Sequence, residues 1–286
     1  MSSLAHLVRD AARRFEQAGI APAEARLDAV LLARHLLDWD MATWIVHHEE
    51  PAPEGFVDRF EALALRRTGR EPMAYLLGRA EFWGLDVAVS PAVLVPRPET
   101  ELLVEEALAR LPFDQPRRVA DVGTGSGCVA VALACERPVL RVVATDVSPA
   151  ALAIAARNCG AHGVTGRIDL VQGYLLDATA GPFDMVVSNP PYVAEADRPG
   201  LAPEVRDFEP ALALFAPDDG LGVIKALVAQ AASRLSPGGW LLFEFGFGQA
   251  EAVHGILGPA AWTDVSLQPD LQGIPRVAIA RLSPEP

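Results

Sequence analysis

Asp121-Val122-Gly123-Thr124-Gly125-Ser126-Gly127 is the stretch whose reading decides the fold class of this chain. It follows an apolar strand pattern and opens a helical one. Glycines at such a junction let the backbone turn sharply and let a ligand come close. The helix start then offers free N–H groups to a carboxylate or phosphate. The spacing Gly-x-Gly-x-Gly differs from the dinucleotide fingerprint Gly-x-Gly-x-x-Gly. Asp121, two residues before the first glycine, would repel a pyrophosphate and suits a ligand carrying an ammonium and a sulfonium.

Outward from this loop, strand and helix patterns alternate. Strands are predicted near 118–122, 139–145, 167–171, 183–188, 239–246, 263–267 and 276–281. Helices are predicted near 127–135, 149–158, 219–235 and 248–257. Such alternation means an α/β domain: a mainly parallel, Rossmann-like sheet with helices on both faces. The second strand ends at Asp146, about 20 residues past the glycines, where an acidic side chain can accept both hydroxyls of a ribose. Ser148 can cap the next helix, with Pro149 in its first turn.

The fourth strand runs into Ser188-Asn189-Pro190-Pro191-Tyr192. The prolines remove a ladder donor and stiffen the exit, so the strand must end in a rigid corner. There the Asn189 side-chain oxygen and the Pro190 carbonyl can accept the two N–H bonds of one planar amide or amino group, and the Tyr192 ring can lie on its face. Read alone, Asn-Pro-Pro is equally a strand-to-loop punctuation. Read with the glycine loop and Asp146, all at the carboxyl edge of one sheet, it is a binding site.

Residues before the sheet have a different character. Ser3 can cap a helix with apolar positions Leu4, Leu7, Val8, Ala11, Ala12 and Phe15. Leu27, Val30, Leu31 and Leu37 form the next stripe, and Phe56, Phe60, Leu63 and Ala64 a later one. Residues 1–78 are therefore expected to be a small helical bundle. Residues 79–98 read as a hairpin linker with Gly84 near its turn, and residues 99–286 as the sheet domain. Thr100 is placed to cap the helix that follows. Residues 193–218 are Pro-rich and weakly periodic, a long loop of the kind that serves as a lid.

Composition narrows the classes. The 286 residues carry a net charge of −13, which opposes a protein whose affinity comes from neutralising phosphates. Three cysteines without a Cys-x-x-Cys pair oppose a disulfide framework and a zinc site. Cys128 and Cys135, seven apart in a helical pattern, are expected to be core residues. His47-His48 has no partner at ligand spacing, so no metal is expected. Arg9, Asp10, Arg13 and Arg14 interrupt the first apolar pattern, unlike a signal peptide, and no apolar run approaches about 20 residues. The expectation is a soluble, cytoplasmic protein.

The Asp-x-Gly-x-Gly-x-Gly loop, Asp146 and Asn189-Pro190-Pro191-Tyr192 resemble the class I S-adenosylmethionine-dependent methyltransferases that act on planar nitrogens. Other stretches are more specific. Arg70-Glu71-Pro72 with Tyr75 and Gly78, Glu81-Phe82-Trp83-Gly84, Pro96-Arg97-Pro98-Glu99-Thr100-Glu101, and Asp270-Leu271-x-Gly273-Ile274-Pro275-Arg276 resemble the peptide chain release factor glutamine N5-methyltransferase family. The resemblance spans essentially the whole chain. It implies S-adenosylmethionine as cofactor, with S-adenosylhomocysteine as product and no metal. It implies contacts from Gly123, Thr124, Gly125, Ser126 and Gly127 to the methionine part, from Asp146 to the ribose, and from Tyr174 beside the adenine. Gly173-Tyr174 departs from the acidic version of that position. Asn189, Pro190, Pro191 and Tyr192 would hold the substrate glutamine of a Gly-Gly-Gln loop in a release factor, with Asn189, Pro190 and Tyr192 catalytic and Asn189 also near the cofactor. No direct nucleic-acid or membrane partner is implied, and a monomer is expected. A ribosomal-protein glutamine methyltransferase, an amino-adenine N6 methyltransferase and a non-catalytic cofactor-binding protein remain alternatives.

Overall fold

The computed structural model describes residues 3–284, which divide into two compact units. The first comprises the N-terminal residues through Gly78 together with Ala202–Phe208. Its helices are α1 (Leu4–Gln17), α2 (Pro22–Leu37), α3 (Met41–His47), α4 (Phe56–Thr68) and α5 (Met73–Leu77). Ser3 does cap α1, accepting from the His6 N–H, and Pro22 occupies the first turn of α2. The helices meet in a core that includes Leu4, Phe15, Leu32, Trp44 and Phe60. The stripe expected for α2 is corrected: its buried face is Ala25, Asp28, Ala29, Leu32 and Ala33, whereas Leu27 is exposed and Val30, Leu31 and Leu37 are half-buried.

At the edge of that core Arg67 is 1% exposed. Its guanidinium donates to Asp28 at 2.8 Å, Glu24 at 3.0 Å and Glu204 at 2.9 Å. Arg70 also reaches Glu204, at 2.7 Å. A buried guanidinium costs several kcal/mol to desolvate unless its donors are met, and here they are met by Glu24 and Asp28 of α2, by the Glu71 carbonyl at 3.2 Å and by Glu204. Burial pushes the Asp28 carboxyl up, against the opposing pull of Arg67.

The second unit comprises Arg79–Leu201 and Glu209 onward. It begins with a hairpin of β1 (Arg79–Phe82) and β2 (Leu85–Ala88), with Gly84 in the turn at φ +68°. Then come α6 (Glu101–Arg110), β3 (Arg118–Val122), α7 (Cys128–Glu136), β4 (Arg141–Asp146), α8 (Pro149–Ala161), β5 (Ile168–Gln172) and β6 (Phe183–Ser188). After β7 (Val193–Ala194), α9 (Pro203–Phe208, counted with the first unit), α10 (Ala211–Leu214) and β8 (Phe215–Ala216) come α11 (Gly222–Arg234), β9 (Leu235–Glu244), α12 (Ala250–Ile256), β10 (Trp262–Pro269) and β11 (Pro275–Leu282). No helix of the described residues is long and apolar enough to cross a membrane.

Seven strands form the main sheet in the order β10-β11-β9-β6-β3-β4-β5. The five from β9 to β5 are parallel, and β10 and β11 add an antiparallel edge. Alternate strand residues feed two cores. Val119, Val142, Met185 and Leu242 pack with Leu103, Val131 and Leu133, while Ala120, Val143, Val186 and Leu241 pack with Ile224, Leu227 and Val253. A sheet apolar on both faces must be covered on both, as the alternating pattern predicts.

Three expectations are corrected. Thr100 makes no side-chain cap for α6, because its hydroxyl is engaged elsewhere. Cys135 is exposed: every residue of α7 from Cys128 to Ala134 is buried, so exposure depends on distance along the axis, and Cys135 lies in the emerging last turn. Residues 193–218 are not structureless. They carry short helices and the parallel β7–β8 pair, Val193 opposite Phe215 and Ala194 opposite Ala216, which closes the excursion at its base.

Candidate active site

Strand register assembles the site. Val122 of β3 stands opposite both Thr145 of β4 and Ser188 of β6, and Ser188 stands opposite Phe243 of β9. One residue further on in each strand come Gly123, Asp146, Asn189 and Glu244. Four sequence-distant residues thus share one row at the carboxyl edge. The connections also reverse here: β3 to β5 step one way across the sheet and β6 to β9 the other, and ligands bind at such a switch point. The Ser188 hydroxyl donates to the Val122 carbonyl at 2.7 Å and pins the two strand ends together.

A cavity of about 420 Å³ opens on this row, lined among others by Asp121, Gly123, Gly125, Asp146, Tyr174 and Asn189. Gly123 and Gly125 have φ of +70° and +55°, and a Cβ at either would meet no protein atom within 4 Å. The space in front of the loop is therefore left to a ligand. Gly127 is glycine for another reason. At φ +79° a Cβ would stand 3.1 Å from the Ala155 Cβ and 3.3 Å from its Cα. Gly127→Ala is expected to cost about 1–3 kcal/mol of stability, read as a lower midpoint in chemical unfolding.

The electrostatics favour a cation. Asp121 is buried and accepts from the Thr124 hydroxyl. Burial pushes its carboxyl up to about 6, with Asp146 adding to the shift and Thr124 opposing it. Asp146 accepts from the Gly125 and Ser148 N–H groups, each at 2.9 Å, so it fastens the glycine loop to β4 while keeping lone pairs free. Arg97 also lines the cavity, but its guanidinium is paired with the buried Glu209. A sulfonium with an ammonium fits this donor set; a pyrophosphate does not.

Not every expected site residue faces the cavity. Asn189 and Pro191 line it, and Tyr174 does so at 48% exposure. Gly127, Pro190 and Tyr192 are not among the lining residues, and the Gly127 N–H is spent on the Thr124 carbonyl at 2.8 Å. The Tyr192 hydroxyl donates to Glu244 Oε1 at 2.9 Å, and its ring lies where a Cβ on Gly246 would approach to 3.0 Å. Burial, reinforced by the Glu244 charge, pushes the phenol well above its usual range.

Sequence reading missed Glu244, 2% exposed, which accepts from Tyr192 and, at 2.6 Å, from the Thr100 hydroxyl. Thr100 in turn accepts from the Asn189 amide at 2.9 Å. The available signal was a lone acid between Phe243 and Phe245 in an otherwise apolar strand. Burial pushes Glu244 up, Thr100 and Tyr192 draw it back, Glu99 adds to the rise and Arg276 opposes it. Asn158 was missed as well. Its amide donates to the Ser126 carbonyl at 2.8 Å and to that of Ala88 at 3.0 Å, tying the glycine loop to the hairpin.

Comparison with known proteins agrees with this architecture. Residues 6–78 match the PrmC N-terminal domain and residues 98–204 the methyltransferase small domain. The chain is 47% identical to a release factor glutamine methyltransferase of Xylella fastidiosa, covering 90% of this chain and 93% of the relative. It is 44% identical to one of Cereibacter sphaeroides, covering 97% and 98%. Among solved structures, a Pyrococcus furiosus methyltransferase has a TM-score of 0.53 at 18% identity, covering 78% of this chain and 98% of that one. The hMettl16 catalytic domain has 0.55 at 18%, covering 82% and 83%. These likenesses show the methyltransferase fold, and the sequence relatives show the family: the chain belongs to the release factor glutamine methyltransferases.

Proposed function

We propose that this enzyme transfers a methyl group from S-adenosylmethionine to the side-chain amide nitrogen, N5, of the glutamine in the Gly-Gly-Gln loop of peptide chain release factors. The observation that carries the reading is the pairing of Asn189 with Thr100. The Asn189 amino group is occupied, so its carbonyl oxygen is left to accept from a substrate N–H.

Gly123 to Ser126 and Asp146 hold the cofactor, and Tyr174 borders its base. Bound there, the cofactor supplies an electrophilic methyl group. The chain's own task is to make a poor nucleophile adequate. An amide nitrogen is unreactive because its lone pair is delocalised into the carbonyl. Asn189 Oδ1 accepts one of its N–H bonds, and the Pro190 carbonyl, behind the cavity wall, accepts the other once the amide is seated in the corner; together they turn the lone pair out of conjugation and favour a pyramidal nitrogen as the bond forms. The alkylated nitrogen is acidic and sheds a proton without a dedicated base.

Mass spectrometry of a purified release factor, incubated with this enzyme and S-adenosylmethionine, tests the reading. One added methyl on the Gly-Gly-Gln glutamine is expected. Transfer only to a ribosomal protein or to a nucleic acid would keep the chemistry and discard this substrate.

A further inference from the structure

We infer that Glu244 sets the polarity of the active-site corner: through Thr100 it fixes which end of the Asn189 side chain meets the substrate. The inference rests on the proposed transfer to an amide nitrogen and adds a positioning residue to it.

An asparagine amide can turn by half a rotation with almost no change in shape, exchanging an acceptor for a donor. An amide substrate needs the acceptor. With the donor turned toward it, two N–H groups would face each other and both would lose a partner. Something must therefore forbid the wrong rotation, and Asn189 has no means of doing so itself.

The hydrogen-bond chain supplies it. An ionised carboxylate has acceptors only. Glu244 Oε1 accepts a hydrogen bond from the Tyr192 hydroxyl at 2.9 Å and Oε2 accepts one from the Thr100 hydroxyl at 2.6 Å. Thr100 has one proton to give, and it is spent. Toward Asn189, 2.9 Å away, its oxygen can only accept. The Asn189 amino group must then point at Thr100, and the carbonyl oxygen away from it. A carboxyl side chain 2% exposed on β9, with a hydroxyl donor on each oxygen, thus determines the donor and acceptor pattern shown by a residue at the end of β6. Arg276, an opposing charge that Glu244 feels, has its own guanidinium hydrogen-bonded to Asp270 at 3.1 Å.

Glu244→Gln is nearly isosteric but can donate to Thr100. That frees the Thr100 proton for Asn189 Oδ1 and allows the wrong rotation. Thr100→Val removes the relay without touching the charge, and Thr100→Ser keeps it. Two substrates are compared: a release factor with its Gly-Gly-Gln glutamine, and the same protein with glutamate there, whose carboxylate offers acceptors and no N–H.

Glu244→Gln and Thr100→Val are expected to lower kcat on the glutamine substrate roughly 10–100-fold, with S-adenosylmethionine affinity within about twofold of wild type. Both are expected to bind the glutamate-containing factor more tightly than the wild-type enzyme does, measured as its inhibition constant. Thr100→Ser is expected to stay within about threefold of wild-type turnover. Equal loss of turnover without any change in glutamine-against-glutamate discrimination would overturn the inference and leave a packing role. Wild-type turnover in both variants would overturn it too. If Glu244→Gln does not fold, the Thr100→Val and Thr100→Ser pair decides alone. Wild-type transfer to the glutamine, measured in the same assay, tests the substrate assignment separately.

Discussion

Asn189→Ala is expected to lower kcat on the release factor by roughly 10²–10³ while leaving S-adenosylmethionine affinity within a fewfold of wild type. The size follows from what is removed: one oriented acceptor in a half-buried corner, where it acts on charge that develops only as the bond forms. The split follows from geometry. The polar partners proposed for the cofactor are on β3, β4 and the glycine loop, whereas Asn189 sits at the end of β6 with its amino group tied to Thr100. Single-turnover transfer from tritiated cofactor measures the chemistry, and calorimetry measures the binding. Near wild-type turnover in the alanine variant would end the two-acceptor account.

The second large effect concerns Asp121 and pH. In the folded chain its carboxyl is pushed up to about 6 from an ordinary 3.8, mainly by burial. The sign is that of a raised acid. Its contribution to stability is fully present below the ordinary value, where folded and unfolded chains both hold the proton. It is lost as pH rises through about 6, where the folded chain must ionise a buried group. A cationic ligand reverses the preference, since it stabilises the carboxylate and draws its pKa down. Affinity for S-adenosylmethionine should therefore rise with pH, by up to about tenfold per unit below 6, and level off near neutrality. Asp121→Asn keeps the shape, removes the charge and should flatten this rise. At pH 7.5 it should bind about 10–100-fold more weakly than wild type. Calorimetric titration between pH 5 and 8 checks both. A flat wild-type profile would show that no ionised Asp121 takes part in binding.

What the sequence disclosed, and what it withheld, follows the range of the interactions. The glycine loop and the Asn-Pro-Pro corner were legible because each is a local instruction: the residue types state what the backbone must do within a few positions. Alternating strands and helices likewise revealed a sheet covered on both faces. Register was not legible, since it depends on which strands become neighbours. Without it nothing placed Glu244 beside Asn189, although an acid between two phenylalanines was an anomaly. Thr100 was misread for the same reason: a threonine before a helix is a good cap until a buried carboxylate 144 residues away claims its proton. Glu209 similarly appears as an ordinary loop acid until the fold buries it against Arg97.

Arg67 also imposes a timetable. Its set of partners is completed by Glu204, 137 residues later in the chain. At about 5–20 residues per second a ribosome makes that stretch in on the order of 10 s. During this interval the emerging helices hold a guanidinium with Glu24 and Asp28 as carboxylate partners and one acceptor still unsynthesised. By the time Glu204 appears, β3 to β6 have been translated. The first unit to leave the ribosome therefore cannot be finished until a segment lying beyond β3 to β6 has been made.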